Sequence, residues 1–429
     1  MDRAELAKAQ REIIESEVTG DYFYTRRGYL VFKNGRYVPI DKSSLRLRLS
    51  RVLGNQPDTV NDAILAIEDS KFVSYCGPLA GCDRGLHETA DGEKILATNG
   101  PKIIPSWEGD WTEIKSFLSA LFADDTFDQL AYFYSWLQSA RLAMLARKPS
   151  PGQLLALVGP RACGKTQLVQ RLIKPSMGGR EANPVSFFSG ERFNGDLVKA
   201  ELLVMDDETL PTDARSRQTF KQRVKTFLYS GAPRIEAKGQ DAFTFQGLWR
   251  AVVCCNEAED DLRALPPVDS GTEDKLIYLR CSPALDPRTE AEDFEHWCGT
   301  IRQQIPAFLH FVENYEVPER LRGGRGNVSG WQHPVLLDEM DRSQGWRALL
   351  EIVDSSALFL PWKGTARELE SSLENDDKAR LHSRKLFGSW VNKAGALLGE
   401  AAAKTERVYK AGVVKGTQAW CITSPEQED

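Results

Sequence analysis

The stretch that decides the fold reads Leu154-Leu-Ala-Leu-Val-Gly-Pro-Arg-Ala-Cys-Gly-Lys-Thr166. Its first five residues form an apolar run of the length expected for a buried parallel strand. Residues 159–166 then match the phosphate-loop pattern GxxxxGK(S/T), and Gln167–Ile173 continues as a predicted helix. A glycine-bent loop at a helix start directs backbone N–H groups inward, where they bind phosphate oxygens. The sequence therefore predicts a nucleotide-binding α/β core with a parallel sheet.

Within this loop, backbone and side chains have separate expected roles in binding ATP and Mg²⁺. We expect Lys165 to reach the β and γ phosphates, and the Thr166 hydroxyl to take one position around Mg²⁺. The residues expected to contact the nucleotide are Gly159, Pro160, Arg161, Ala162, Cys163, Gly164, Lys165, Thr166 and Gln167.

Two further apolar runs end in polar residues suited to hydrolysis. The first run, Leu202–Met205, is followed by Asp206, Asp207 and Glu208. A phosphate-loop enzyme needs one carboxylate near Mg²⁺ and another to orient the attacking water. Asp206 and Asp207 fit these roles, and a register shifted by one residue would use Asp207 and Glu208. The second run ends on Asn256, whose amide can hydrogen-bond the γ phosphate or the water.

The net charge of −6 hides an uneven distribution of charge along the chain. Residues 22–54 contain eight Lys or Arg, one Asp and several aromatic residues. Such a mixture can bind phosphates and stack on bases. It is equally expected of a solvated hairpin with an aromatic core, because Tyr29–Ile40 turns on Asn34-Gly35. The sequence leaves both interpretations open.

With 429 residues, the chain exceeds what one hydrophobic core usually organises, so several domains are expected. We predict a small α/β domain, a helical oligomerisation segment, an ATPase core, a linker and a C-terminal winged-helix domain. The winged helix is indicated by helices at 366–373 and 381–399 and by a closing hairpin over 407–422. The predicted boundaries, in that order of domains, are 1–110, 111–150, 151–318, 319–344 and 345–429.

The chain has neither a signal peptide nor a run of roughly 18 apolar residues, which predicts a cytoplasmic protein without a membrane partner. The eight cysteines are predicted to be thiols. Cys76, Cys82 and His87 are close enough in sequence to suggest zinc. A fourth ligand is not evident nearby, so we favour ordinary loop residues over a metal site.

The segment between the second and third strands carries a family resemblance. It reads as a helix bearing Lys225, a glycine, and a short hairpin over 233–245 with Lys238 near its tip. Together with the motifs above, in the same order, it resembles superfamily 3 DNA helicases of phages, plasmids and other mobile elements, over about residues 112–315. The resemblance implies an AAA+ αβα core, a hexameric ring, and single-stranded DNA drawn through its pore. It also implies that Lys238, Lys225 and Arg234 contact DNA.

Two features depart from the usual pattern of that family. An arginine finger is usual shortly beyond the asparagine, and here Lys275 stands at the expected place. Lysine lacks the bidentate fork of arginine, so it would neutralise transition-state charge less well. Residues 1–110 are also too few for a primase domain, so primase activity is not predicted. The other candidates for the finger are Arg263, Arg280, Arg215 and Arg217.

The main hypothesis is an ATP-dependent DNA helicase that acts in the replication of a phage or mobile genetic element. Its expected partners are single-stranded DNA, fork or origin DNA, other copies of itself, and primase or other replication proteins. The alternative is a replication initiator or helicase loader that uses ATP as a switch and unwinds little DNA. A phosphate-loop enzyme acting on small molecules or proteins would leave the hairpin and the winged helix without a role.

Overall fold

A computed structural model describes most of the chain, namely residues 21–206, 219–220, 222–224, 226, 233–238, 242–258, 261–262, 265–266, 268, 271–282, 291–323, 328–355, 358–372 and 390–424. Contacts divide the chain into two compact units. The first comprises residues up to 255 together with 266–331, and the second comprises 256–265 together with residues from 332 onward.

Residues 21–100, here called the N-terminal module, contain two small sheets and two helices. The elements are β1 (Tyr22–Thr25), β2 (Gly28–Lys33), β3 (Arg36–Ile40), α1 (Lys42–Leu53), α2 (Pro57–Ser70), β4 (Tyr75–Gly77), β5 (Gly85–Glu88) and β6 (Lys94–Ala97). Strands β1, β2 and β3 form an antiparallel meander. Asn34 and Gly35 both have positive φ, as a tight two-residue turn requires, so the predicted hairpin is confirmed. The second sheet has the order β4-β6-β5.

The meander of the N-terminal module is apolar on both faces. Tyr29 packs in one buried cluster with Leu45 and Leu49 of α1 and with residues of α2. Phe23 and Leu30 belong to a second cluster, which also contains Val73 and Leu96. Burial of such side chains contributes roughly 1.5–3 kcal/mol each. Part of the aromatic character of residues 22–54 therefore serves the core of the module.

The rest of the first unit is an α/β core. Its elements are α3 (Thr112–Leu121), α4 (Gln129–Leu145), β7 (Leu154–Val158), α5 (Lys165–Gln167), α6 (Lys174–Ser176), β8 (Glu181–Ala182), α7 (Val185–Ser189), β9 (Leu202–Asp206), β10 (Arg234–Ile235), β11 (Phe243–Thr244), β12 (Arg250–Cys255), β13 (Leu276–Arg280), α8 (Ala291–Glu313) and β14 (Trp331–Gln332). A π-helical stretch, Leu168–Ile173, joins α5 to α6, and 3₁₀ turns lie at Leu197–Lys199, Glu273–Lys275 and Glu319–Leu321.

The core sheet has six strands in the order β14-β13-β7-β12-β9-β8. The pairings from β13 through to β8 are all parallel. Every residue of β7 is buried, as its apolar sequence predicts. Leu118 of α3, Trp136 of α4 and Phe308 of α8 share one hydrophobic cluster with β7. The helices over 112–145 therefore pack on the same core as the sheet, and the oligomerisation role predicted for 111–150 stays a prediction.

The described part of the second unit includes three helices and a small sheet. They are α9 (Pro334–Ser355), β15 (Trp362–Thr365), α10 (Ala366–Ser372), α11 (Trp390–Lys404), β16 (Val408–Val414) and β17 (Thr417–Ile422). β17 lies between β15 and β16 and is antiparallel to both. Trp346, Leu398 and Trp420 are buried together in its core.

The start of this unit's first helix differs from the expected one. Helix α9 begins inside the range 319–344 that is predicted to be a linker, because Leu336 and Met340 are buried apolar residues at helical spacing. Of the helix predicted over 381–399, residues 381–389 lie outside the described part of the chain. In the described ranges, no helix is long and apolar enough to cross a lipid bilayer.

Candidate nucleotide-binding site

The phosphate loop leaves β7 at Val158 and is held closely by two neighbours. The Gly159 N–H donates to the Cys255 carbonyl at 3.2 Å. A Cβ at Gly159 would lie 2.4 Å from the Cys281 carbonyl oxygen, and one at Gly164 would lie 3.0 Å from the Phe117 ring. Gly164 also has φ +110°, a conformation that side chains disfavour. Both glycines of the motif are therefore required sterically by the surrounding fold.

Lys165 is buried and points back into its own loop. Its Nζ donates to the Gly159 and Pro160 carbonyls, each at 2.8 Å, and lies 3.7 Å from the Cys163 sulfur. A phosphate bound in the loop would compete with these carbonyls for the ammonium. The side chain is thus already oriented toward the centre of the loop, where a ligand would meet it.

Two cysteines near Lys165 form a hydrogen-bonded pair that the sequence does not predict. Cys163 and Cys281 are both buried, and a hydrogen bond from the Cys281 thiol lowers the pKa of Cys163 to about 6. The Lys165 charge acts in the same direction, whereas burial opposes it. Complete burial raises the pKa of Cys281 well above its usual value. Cys163 is therefore the thiolate of the pair at neutral pH.

The predicted acid and amide lie at the carboxyl ends of neighbouring strands. In the sheet register, Val158 pairs with Cys255, and Asp206 pairs with Cys254. Asp206 is the last residue of β9 and is exposed, and Asn256 follows β12 directly. The loop and Asp206 are thus at one edge of the sheet, two strand spacings or roughly 10 Å apart. Asp207 and Glu208, the other predicted acids, lie outside the described residues.

The donor set at this edge fits a magnesium nucleotide. Backbone N–H groups and an ammonium suit phosphate oxygens, while the exposed Thr166 hydroxyl and the Asp206 carboxylate are hard oxygen ligands of the kind that Mg²⁺ prefers. In the described part of the chain, no three His, Cys, Asp or Glu side chains cluster as a metal site. Cys76 and Cys82 are instead half-buried thiols whose pKa burial raises to about 11.

Lys275 lies away from the loop. It directly precedes β13, at the amino ends of the parallel strands, whereas the loop lies at their carboxyl ends. Five residues of strand, about 16 Å, separate these edges. Lys275 is also buried, and its Nζ donates to the Gly271 carbonyl at 2.8 Å and to Asp274 at 2.6 Å. A role as a finger in a neighbouring subunit would require these bonds to break.

Among the alternative fingers, Arg280 is described, whereas Arg215, Arg217 and Arg263 lie outside the described residues. Arg280 ends β13 and pairs with Val158 in the sheet, so it lies at the same edge as the phosphate loop of its own chain. The buried Gln129 amide fixes its backbone, accepting from the Arg280 N–H at 2.7 Å and donating to its carbonyl at 2.9 Å. Sequence alone offered no signal for this role of Gln129.

The hairpin predicted over 233–245 is present as β10 paired antiparallel with β11. Arg234 and Lys238 are both exposed, and the Arg234 guanidinium lies 3.7 Å from a Glu236 oxygen. The Lys238 carbonyl accepts a hydrogen bond from Arg27 of the N-terminal module at 3.4 Å. Lys225 lies outside the described residues.

Part of the chain matches a family model, and its fold is similar to that of solved structures. A family model described as a family of unknown function (DUF5906) matches residues 157–270. No curated protein sequence matches the chain. The apo structure of the NrS-1 C-terminal region (305–718) is similar, with a TM-score of 0.54 at 14% identity, over 97% of this chain and 100% of that one.

Two further solved structures resemble the chain. An A-form apo structure of the NrS-1 C-terminal region has a TM-score of 0.51 at 14% identity, and the match covers 92% of this chain and 94% of that one. A structure of JCV helicase bound to a small molecule has a TM-score of 0.28 at 11% identity, over 56% of this chain and 71% of that one. The chain thus has the overall fold of the NrS-1 C-terminal region.

Proposed function

We propose that this protein hydrolyses ATP at the edge of the core sheet and uses the energy to unwind DNA. The observation that supports hydrolysis is the shared edge of the phosphate loop and Asp206, with β12 inserted between β7 and β9. A spacing of two strands leaves room for the γ phosphate, a metal ion and a water molecule. The exposed hairpin bearing Lys238 supports an action on DNA, because a small basic tip can grip a phosphate without reading sequence.

Each residue of the proposed site has a distinct task. The backbone of residues 159–167 and the Lys165 ammonium bind the phosphates of ATP, and Thr166 and Asp206 hold Mg²⁺. When bound, Mg²⁺ neutralises negative charge on the phosphates. Asp207 or Glu208 orients the attacking water. Asn256 hydrogen-bonds the γ phosphate and senses its presence.

We further propose a ring of six AAA+ subunits that encloses single-stranded DNA. Such a ring would bring six copies of the Lys238 tip together and concentrate positive charge in a channel, although the whole chain carries a net charge of −6. The finger would then come from a neighbouring subunit, and Arg280, Lys275, Arg263, Arg215 and Arg217 are the candidates. Primase and other replication proteins are proposed as partners at the fork.

The test compares unwinding of a tailed duplex by the wild type, Lys165→Ala and Lys238→Ala, with ATP and Mg²⁺. Lys165→Ala should lower hydrolysis by roughly 100-fold, because it removes a preorganised charge that faces the phosphates. Lys238→Ala should keep basal hydrolysis and lose unwinding. The matched control is Lys199→Ala, an exposed lysine whose ion-pair partner is its neighbour Asp196. Wild-type hydrolysis that DNA does not stimulate, without any unwinding, would contradict the helicase.

A second candidate function is a replication initiator that uses ATP as a switch. The C-terminal unit favours it, because its strand order β15-β17-β16 after a helix, and the turn at Lys415-Gly416, fit the wing of a winged-helix DNA-binding domain. The engaged ammonium of Lys275 is also consistent with slow hydrolysis. In the same preparations, a footprint on one DNA sequence together with little unwinding would select the initiator over the motor.

A further inference from the structure

The turn between β1 and β2 lies against Lys238, which follows β10 in the hairpin formed by β10 and β11. The Arg27 guanidinium donates through Nη2 to the Lys238 carbonyl at 3.4 Å, although the two residues are 211 positions apart. Arg26, Arg27 and Lys238 are all exposed. Three exposed cationic residues thus lie on two adjoining segments that belong to different sheets.

The turn that carries the two arginines is well defined. Thr25 pairs with Gly28 across the end of the meander, so Arg26 and Arg27 are the two residues of the turn. The Thr25 hydroxyl donates to the Gly28 carbonyl at 2.9 Å and accepts from the Arg27 N–H at 3.1 Å. Gly28 has φ +123°, which a side chain would disfavour. The arginines are therefore displayed from a fixed backbone.

Buried contacts hold the N-terminal module in this position on the core. The Gly81 N–H donates at 2.8 Å to Glu201, which is fully buried, and Arg180 forms an ion pair with the same carboxylate. A Cβ at Gly81 would lie 2.7 Å from Leu248 Cβ, so the two backbone segments approach as closely as a glycine permits. The Tyr75 ring packs 5.0 Å from Phe243 of the hairpin itself. The module and the base of the hairpin are thus one packed body.

The charges at this place favour a polyanion. Residues 22–40 contain no Asp or Glu, so the turn has no acid on its own strands. Glu236, the acid nearest to Lys238 along the hairpin, is already bonded to Arg192 and lies within 3.7 Å of Arg234. Arginine forks suit the paired oxygens of a phosphate diester.

We infer that Arg26 and Arg27 form a second phosphate contact for the single strand of DNA that Lys238 grips, a role that rests on the proposed DNA contact of the hairpin. The strand passes from the hairpin tip onto the turn of the N-terminal module of the same subunit. Because phosphates are bound and bases are not read, the contact is independent of DNA sequence.

The meander offers a matched control at its other end. Lys33 and Arg36 are exposed and pair with each other beside the Asn34-Gly35 turn. The six residues of β2 separate this turn from Arg26 and Arg27 by about 20 Å. Removing either pair of cations changes the net charge equally, but only one pair adjoins Lys238.

The test measures binding of labelled oligothymidylate to the full chain by fluorescence anisotropy over a range of salt concentrations. Arg26→Ala combined with Arg27→Ala should raise Kd about tenfold. It should also reduce the slope of log K against log salt by about 1.4, since each phosphate contact on a single strand contributes about 0.7. Lys33→Ala combined with Arg36→Ala should stay within about twofold of the wild type. Arg26→Lys combined with Arg27→Lys should retain most of the slope, because the charges remain.

Two results would overturn the inference: a Kd of the alanine pair within twofold of the wild type, or an equal loss of affinity in the control pair. Melting temperatures of both alanine pairs should match the wild type, since all four side chains are exposed. If Lys238→Ala weakens binding and the arginine pair does not, only the second contact fails. If Lys238→Ala also binds normally, the proposed hairpin function fails with it.

Discussion

Cys163 and Lys165 share the inner surface of the phosphate loop, and the Lys165 charge helps to lower the pKa of Cys163. With a pKa of about 6, the Cys163 thiol is ionised above that pH and protonated below it. A difference in ultraviolet thiolate absorbance between the wild type and Cys163→Ser should therefore appear near pH 6. Cys281→Ala and Lys165→Met should each raise this pKa, because the Cys281 hydrogen bond and, after it, the Lys165 charge lower the pKa of Cys163. A midpoint near the ordinary pKa of a thiol, about 8.5, would contradict the lowered pKa of Cys163.

Some residues of the site contact residues close in sequence, and others contact residues far away in sequence. Lys165 bonds to carbonyls five and six positions away, so its environment follows from the motif itself. Gln129 and Arg280 are 151 positions apart, and no local pattern connects them. The same holds for Cys163 and Cys281. Sequence therefore predicts the loop that meets phosphate, whereas the residues that brace that loop become visible only when distant strands pair.

Among the elements, buried strands follow most directly from sequence. β7 and β9 are apolar runs enclosed by other strands, so nearly every position must be hydrophobic. Helix α1 is not predicted, because Leu45-Arg-Leu-Arg-Leu49 alternates as a half-buried strand would. In the helix, Leu45 and Leu49 are buried one turn apart, and Leu47 between them is 56% exposed. The signal that could have identified it is Asp41, whose carboxylate caps the Ser44 N–H at 2.7 Å.

The junction between the N-terminal module and the core depends on Gly81. Gly81→Ala should destabilise the protein more than Gly179→Ala, although both glycines have φ +79°. A positive φ disfavours any side chain, so each alanine carries backbone strain. Only at Gly81 would the new Cβ also lie 2.7 Å from Leu248 Cβ, and such overpacking costs about 1–3 kcal/mol, whereas a Cβ at Gly179 would meet nothing within 4 Å. Thermal melting checks this, and equal midpoints would refute close packing at the junction.

The whole molecule has two units, and each has a hydrophobic cluster of its own. Leu118 and Leu398 are both fully buried, the first in the cluster around β7 and the second in the C-terminal unit. Truncation of either to Ala should cost about 2–5 kcal/mol. We expect one calorimetric transition whose midpoint temperature rises when an ATP analogue and Mg²⁺ are added, because a ligand stabilises only the part of the protein that binds it. Leu118→Ala should lower the midpoint temperature of that transition. Leu398→Ala should lower the midpoint temperature of a second transition, which the nucleotide leaves unchanged. A single transition shifted equally by both would show that the units unfold together.

Strand β9 has a mechanical consequence for this architecture. The residue before it, Glu201, anchors the N-terminal module, and its last residue is Asp206, the proposed magnesium ligand. The intervening strand is about 16 Å long, and β12 pairs with all five of its residues while β8 pairs with the first two, so it does not slip easily. A displacement of Asp206 during the nucleotide cycle would therefore be transmitted along the strand to Glu201. The N-terminal module would move as the far end of a stiff rod whose near end is the nucleotide site.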